Sequence, residues 1–414
     1  MSAAVRRIAV IGPGLMGLGI AQVAAVAGIE VMLVGRDRAS AAAGHARLVA
    51  QLERQVSRGR LSADAAAAIA ASVRPTDSDA DLAACDLAIE SVPEDRALKE
   101  TLLRKIEAAL PAKAWLATNT SGLPIGGLAG ALRRPERFLG LHFFSPVERM
   151  KLVEVVRSTM TSQATVNAAL AFVAALGQKP IVVRDGPGFF TTRVFAAYLD
   201  EAVALLGEGV AAAAIEAAAL VNGRAVGPLA VLDEVSLGLN LQQADQARAD
   251  GLDERFCRPL ARPVLERMVA LGRGGRRQGG GFYDHPANAP KQLWPGLDAL
   301  FARLASQPSA TTIAARLRSA ETLEALRCLE EGVLTSADDA DTGSLLGLGQ
   351  PASSGGVLRS VETQGLARFV DACDALVSTS GAHFEPSSWL RRVAAAGHGL
   401  ENWRDGHRLE GEVT

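Results

Sequence analysis

Two polar side chains stand at or just past the ends of apolar runs, the places at which a sheet enzyme carries its chemistry, and a third stands within the next apolar stretch. His142 follows Phe138-Leu139-Gly140-Leu141, Glu154 lies within Leu152-Val153-Glu154-Val155-Val156, and Ser121 comes three residues after Trp115-Leu116-Ala117-Thr118. An imidazole paired with a carboxylate can take a hydroxyl proton as hydride leaves the carbinol carbon, and the carboxylate fixes the tautomer and stabilises the imidazolium. Ser121 can hydrogen-bond the same oxygen. Against this, a lone histidine is more often structural, and a glutamate in such a run can simply face outward. The pair gains weight from what precedes it in the chain.

Residues 8–11 form an apolar run that reads as a buried strand, followed by Gly12-Pro13-Gly14-Leu15-Met16-Gly17 and an Ala-rich helix to about Gly28. Glycines in this spacing between a strand and a helix suit a dinucleotide. Gly12 permits the tight turn, Gly14 lets a pyrophosphate approach the backbone, and Gly17 lets the helix pack close, with the helix N-terminus facing the phosphates. The alternative is a bland glycine-rich turn. The second strand, residues 30–34, ends in Gly35-Arg36-Asp37 rather than in the usual acidic residue. A small residue followed by Arg suits the 2′-phosphate of NADP. Asp37 taking the ribose hydroxyls, or Arg36 stacking on adenine, would leave NAD. An Asp at position 35 would favour the bare ribose.

The elements that must position these groups alternate. Residues 40–72 read as a helical pair broken near Ser57-Arg58-Gly59. Strands follow at 86–92, 115–118, 138–144, 152–156 and 180–183, with a helix from about Ser162 to Gly177. Such alternation makes a doubly wound Rossmann-type sheet. The pattern changes at Asp185-Gly186-Pro187-Gly188, and beyond it the chain is almost wholly helical. The helical part repeats itself: Glu201-Ala202 through Glu208-Gly209-Val210 returns as Glu324-Ala325 through Glu331-Gly332-Val333, sharing E-A-x-x-x-L-x-E-G-V. This predicts an α/β domain over residues 1–185, a first helical domain over 186–285 and its duplicate over 286–414. Chance matching of Ala/Leu/Glu helices is the competing explanation. Gly275-Arg276-Arg277-Gln278-Gly279-Gly280-Gly281-Phe282-Tyr283, between the copies, is either an ordered loop packed on the first domain or a linker.

At 414 residues the chain can build two or three domains. Its net charge of −2 and lack of a basic stripe give no sign of a nucleic-acid partner. No apolar run approaches the roughly 20 residues of a membrane span, and the first strand begins too early for a signal peptide. Cys85, Cys257, Cys328 and Cys373 lack metal-ligand spacing and read as reduced core thiols of a cytoplasmic protein.

Gly12-Pro13-Gly14-Leu15-Met16-Gly17, Thr118-Asn119-Thr120-Ser121, His142-Phe143-Phe144-Ser145-Pro146, Leu152-Val153-Glu154 and Pro187-Gly188-Phe189-Phe190 together resemble the L-3-hydroxyacyl-CoA dehydrogenase family. Gly281-Phe282-Tyr283 and the second repeat, through Arg327-Cys328-Leu329-Glu330-Glu331 and Gly355-Gly356, resemble the dehydrogenase part of multifunctional fatty-acid oxidation proteins, without the hydratase/isomerase half. The likeness covers nearly the whole chain. It implies NAD-dependent oxidation of an L-3-hydroxyacyl-CoA to the 3-ketoacyl-CoA, or the reverse, within fatty-acid β-oxidation. His142 is then the base, Glu154 its partner, and Ser121 a contact of substrate and cofactor. Met16, Glu94 and Lys99 fall on cofactor-contacting positions, as does Ser145, where the family often has Asn. Leu15 and Asn119, inside the matching motifs, join the cofactor set.

Two residues depart from the family. Gly35 stands where the family has its ribose-binding Asp, so NADP is as much expected as NAD. Thr192 stands where an Asn would hydrogen-bond the reacting oxygen, and a hydroxyl is shorter than an amide and chemically different. Two other readings stay open: a dehydrogenase of a 3-hydroxy acid without CoA, and a non-catalytic dinucleotide-binding scaffold. Short family members pair one helical domain between two chains. The repeat here can supply that partner internally, so a monomer or weak homodimer is expected.

Overall fold

The protein is described by a computed structural model covering residues 5–397 and 399–400. The tail of the expected third domain, residues 401–414, lies outside the described residues. The chain divides into two units, one up to Phe189 and one from Phe190.

The first unit runs β1 (Arg7–Ile11), α1 (Leu15–Val26), β2 (Glu30–Val34), α2 (Arg38–Ser57), α3 (Ala63–Ser72), β3 (Val73–Thr76), β4 (Leu87–Glu90), α4 (Arg96–Ala109), β5 (Trp115–Thr118), α5 (Ile125–Ala129), β6 (Phe138–Phe143), β7 (Leu152–Arg157), α6 (Gln163–Ala175) and β8 (Lys179–Arg184). One sheet holds all eight strands in the order β3-β2-β1-β4-β5-β6-β7-β8. Strand order reverses direction between β1 and β4, which opens a crevice at their carboxyl ends. Every neighbouring pair is parallel except β6 and β7. The reason is length: the short segment from Phe144 to Lys151 cannot make the crossover of a dozen or more residues that a parallel return requires. Ile8, Val10, Leu33, Ile89, Leu139, Leu141 and Val153 are fully buried in its core. Such burial is worth about 1.5–3 kcal/mol per side chain.

Sequence reading had no strand at β3. This strand is Val-Arg-Pro-Thr, with Arg74 and Pro75 exposed, and it occupies the sheet edge, where a proline without an N–H is tolerated.

The second unit is helical: α7 (Thr191–Gly207), α8 (Ala212–Val221), α9 (Pro228–Val235), α10 (Leu237–Ala249), α11 (Arg262–Ala270), α12 (Leu297–Leu300), α13 (Ala310–Glu330), α14 (Ala337–Gly347), α15 (Val357–Gln364), α16 (Leu366–Ser380) and α17 (Ser388–Ala396). The glycine-rich segment ends in a two-stranded ribbon, β9 (Tyr283–Asp284) against β10 (Gln292–Leu293). The Asp233 carboxylate accepts the Phe282 and Tyr283 N–H groups at 2.8 and 2.9 Å, and Phe282 is buried among Leu229, Leu265 and other core residues of this unit. The segment is thus an ordered part of the helical unit's own core.

The two sequence copies share one arrangement of charge. Arg316 of α13 donates to Glu201 at 2.6 Å and to Glu208 at 2.6 and 2.8 Å, both on or just after α7. Arg193 of α7 in turn donates to Glu324, and to Glu331 at 2.6 Å, on or just after α13. In each copy the two glutamates stand eight and fifteen residues after the arginine. Cys85, Cys257, Cys328 and Cys373 are free and buried, and burial pushes the Cys85 thiol up to about 11. Among the described residues no helix is long and apolar enough to cross a membrane.

Candidate active site

The turn after β1 has the geometry that its glycines suggest. Gly12 has φ +105°, and a Cβ there would lie 2.5 Å from the Ser91 carbonyl oxygen. A Cβ on Gly17 would strike the Gly12 carbonyl. A Cβ on Gly14 would meet nothing within 4 Å, and Gly14 is exposed at the N-cap of α1 with no side chain capping the helix. Leu15 is exposed and Met16 partly so. Open space in front of Gly14 and uncapped backbone N–H groups fit a pyrophosphate.

The end of β2 differs from its expected design. Gly35 is buried, and a Cβ there would lie 2.5 Å from the Ala41 nitrogen and 2.6 Å from Ser40 Oγ. The first turn of α2 comes too close for any side chain, so an Asp at 35 cannot simply take the ribose. Asp37 is the N-cap of α2: its Oδ1 accepts the Ser40 N–H at 2.7 Å, and Ser40 Oγ accepts the Asp37 N–H. The Ser40 backbone N–H, then its hydroxyl, then Arg36 hold this carboxyl below its usual range. Arg36 is exposed, with Nε 3.3 Å from Asp37.

At the carboxyl end of β6 the antiparallel register sets His142 opposite Glu154. Nδ1 of His142 lies 2.6 Å from Glu154 Oε2. Glu154 is fully buried and His142 is 7% exposed, its ring flanked by Phe144 at 4.5 Å and Phe189 at 6.0 Å between centroids. The carboxylate engages Nδ1, which leaves Nε2 as the nitrogen able to accept a proton. The register that makes the pair was not readable from the two apolar runs separately.

Ser121 lies just past β5, partly exposed. Its N–H donates to Glu94 Oε1 at 3.0 Å, as does that of Gly122 at 3.3 Å, and Thr120 Oγ1 donates to the same oxygen. Asn119 uses its side-chain carbonyl to accept the Phe143 N–H at 2.9 Å, tying this loop to the residue after His142. Ser145 is exposed beyond β6. Lys99 is fully buried, and its Nζ lies 2.8 and 2.9 Å from the two oxygens of Glu90, 3.3 Å from the Val92 carbonyl and 3.4 Å from Glu94 Oε2. Glu90, buried and at the end of β4, also accepts the Val92 N–H at 2.6 Å and the Thr118 hydroxyl at 2.5 Å. The strand expected over residues 86–92 contains Glu90 without singling it out. The available signal was a carboxylate closing an apolar strand, with a lysine nine residues on. Thr192 is the second residue of α7 in the helical unit and is partly exposed. Among the described residues no group of three or more His, Cys, Asp or Glu is arranged to hold a metal ion.

A Rossmann-type sheet with a glycine turn at its crevice and a buried His–carboxylate pair at the end of β6 fits a nicotinamide-dependent oxidoreductase. Residues 7–186 match the 3-hydroxyacyl-CoA dehydrogenase NAD binding domain, and residues 188–285 match the 3-hydroxyacyl-CoA dehydrogenase C-terminal domain. The crystal structure of (S)-3-hydroxybutyryl-CoA dehydrogenase PaaH1 from Ralstonia eutropha is 33% identical, with a TM-score of 0.65, over 68% of this chain and 100% of that one. That of 3-hydroxybutyryl-CoA dehydrogenase from Escherichia coli K12 superposes with a TM-score of 0.80 at 27% identity, over 95% of this chain and 99% of that one. The fatty acid oxidation complex subunit alpha of Shewanella frigidimarina is 35% identical over 95% of this chain and 55% of its own length. The chain therefore spans about half the length of the curated relatives it matches. It belongs to the 3-hydroxyacyl-CoA dehydrogenase family, and its N-terminal unit carries that family's NAD-binding domain.

Proposed function

We propose that this protein interconverts an L-3-hydroxyacyl-CoA and the corresponding 3-ketoacyl-CoA, as one step of fatty-acid β-oxidation or its reverse, in the cytoplasm. The observation that carries the reading is the 2.6 Å contact between His142 and Glu154 at the carboxyl end of β6, in the sheet that bears the glycine turn. Bound NAD supplies the hydride acceptor in one direction and NADH the donor in the other. Gly12, Gly14 and Gly17 make room for the pyrophosphate on the N-terminus of α1.

His142 Nε2 takes the substrate's hydroxyl proton as the carbonyl forms, and returns it when the keto group is reduced. Glu154 accepts the Nδ1–H, holds the ring in the tautomer that leaves Nε2 basic, and faces the imidazolium with a negative charge. The hydroxyl of Ser121 steadies the reacting oxygen. Thr192 is the residue of the helical unit assigned to the substrate, with a hydroxyl doing what an amide does in the family pattern. The test is steady-state turnover of acetoacetyl-CoA with NADH and with NADPH. Turnover that needs the CoA ester supports this reading. Equal turnover of free acetoacetate favours a CoA-independent dehydrogenase, and dinucleotide binding without turnover favours a scaffold.

A further inference from the structure

The resemblance puts Lys99 on a cofactor-contacting position, but the structure gives its ammonium other work. Lys99 is fully buried, and its donors face both oxygens of Glu90, the Val92 carbonyl and Glu94. Little donor capacity remains for a ligand. Glu90 lies in register between Ile11 of β1 and Thr118 of β5, and its carboxylate also accepts the Thr118 hydroxyl. Glu94 receives Lys99 on Oε2. On Oε1 it receives the Thr120 hydroxyl and the N–H groups of Ser121 and Gly122. One ammonium therefore joins the carboxylate that laces the ends of β4 and β5 to the carboxylate that holds the loop at 120–122. Stability does not explain such a pair, because replacing a buried ion pair by apolar groups is often neutral or stabilising. What a fixed, saturated pair supplies is a defined geometry.

We propose that the Lys99–Glu90 pair is a positioning device: through Glu94 it sets the loop that presents the Ser121 hydroxyl to the reacting oxygen. The inference rests on the proposed role of Ser121. Lys99 and Glu90 are positioning residues, reaching substrate only through Glu94 and the loop. Removing the ammonium alone leaves Glu90 buried and charged beside Glu94, so the two carboxylates repel and the loop loses its register. Removing both charges lifts that repulsion while Glu94 still holds Thr120, Ser121 and Gly122.

The experiment compares wild type, Lys99→Met, the double variant Glu90→Gln/Lys99→Met, and Lys105→Met as a control. Lys105 is on the same helix, in an exposed pair with Asp79. Three quantities are read: the NADH dissociation constant, kcat with acetoacetyl-CoA, and hydrogen exchange of the Ser121 and Gly122 amides without ligand. In Lys99→Met, kcat is expected to fall about tenfold or more, since small misplacements of a positioned group are costly. NADH affinity should weaken with it, because Glu94 and Ser121 lie on the cofactor-contacting positions of the family pattern, and should recover in the double variant; the two amides should exchange faster in Lys99→Met. The double variant should recover most of kcat and of the amide protection, and Lys105→Met should match wild type. If Lys99→Met does not fold, the double variant carries the test through the same protection and affinity. Weakened NADH binding in both variants, in step with the loss of turnover, would overturn the proposal in favour of direct cofactor contact. Unchanged amide exchange in Lys99→Met would overturn it in favour of mere core filling. A wild type that binds NADH but turns nothing over would instead sink the dehydrogenase reading, and the exchange data would still decide the positioning claim.

Discussion

At the scale of single residues, His142 and Glu154 carry the proposed chemistry and make the sharpest mutational forecast. His142→Ala should cut turnover by about 10²-fold or more, the typical weight of a general base, while NADH binding persists. Wild-type turnover in that variant would remove the assignment. Glu154→Gln should slow the same step, because the Nδ1 partner loses its charge beside the imidazolium. The pair was legible as two residue types, one at the end of an apolar run and one within the next, whereas its 2.6 Å contact depends on a register that no local pattern encodes. Cofactor choice belongs at this scale as well. Asp37 is committed to capping α2 and Gly35 has no room for a side chain, so Arg36 is the group at the end of β2 left to answer a 2′-phosphate. A charge-assisted hydrogen bond is worth roughly 1.5–3 kcal/mol, a factor of about ten or more. Arg36→Ala should therefore weaken NADPH about tenfold in a titration and leave NADH nearly unchanged. Equal losses for both cofactors would show that Arg36 serves the adenine instead. Gly35→Asp, attractive from sequence, is expected to destabilise the start of α2 rather than to switch cofactors cleanly.

At the scale of elements, the glycine turn, the strand bearing His142, the strand that ends before Ser121, and the break between α2 and α3 were readable, because spacing and apolar runs are local signals. The edge strand β3 was not, since Arg74 and Pro75 leave it no run to read. The internal repeat makes a prediction of its own. Ser236, between α9 and α10, has φ 91° and ψ 124°, a conformation that L side chains rarely adopt. Gly365, between α15 and α16, holds φ 95° and ψ 124° at the corresponding place, nine residues after Gly356 as Ser236 is nine after Gly227. Strain of this kind costs about 1–3 kcal/mol, and glycine gives back part of that gain through its freedom in the unfolded chain. Ser236→Gly should stabilise the helical unit by about 1 kcal/mol, raising its Tm by about 2–4 °C in calorimetry. A lower Tm would mean that the serine side chain contributes more than its backbone costs.

At the scale of the whole molecule, the repeated motif E-A-x-x-x-L-x-E-G-V announced two similar helical segments but not how they meet. The arginines that answer its glutamates lie outside the motif, eight residues before each copy, and each reaches across to the other copy. Glu201, Ala202, Val203 and Leu205 are buried, and Arg316 of α13 reaches Glu201 within the same chain. We expect a monomer, or a weak dimer through another surface, in light scattering, and a tight dimer joined through the segment from Glu201 to Val210 would contradict that. The central claim is that one chain performs hydride and proton transfer on a CoA thioester. It is tested most directly by following NADH oxidation with acetoacetyl-CoA, beside free acetoacetate, and resolving the enantiomer of the product. Turnover of the thioester alone, giving L-3-hydroxybutyryl-CoA, is expected. NADH binding with no turnover of the thioester, or formation of the D-enantiomer, would contradict it.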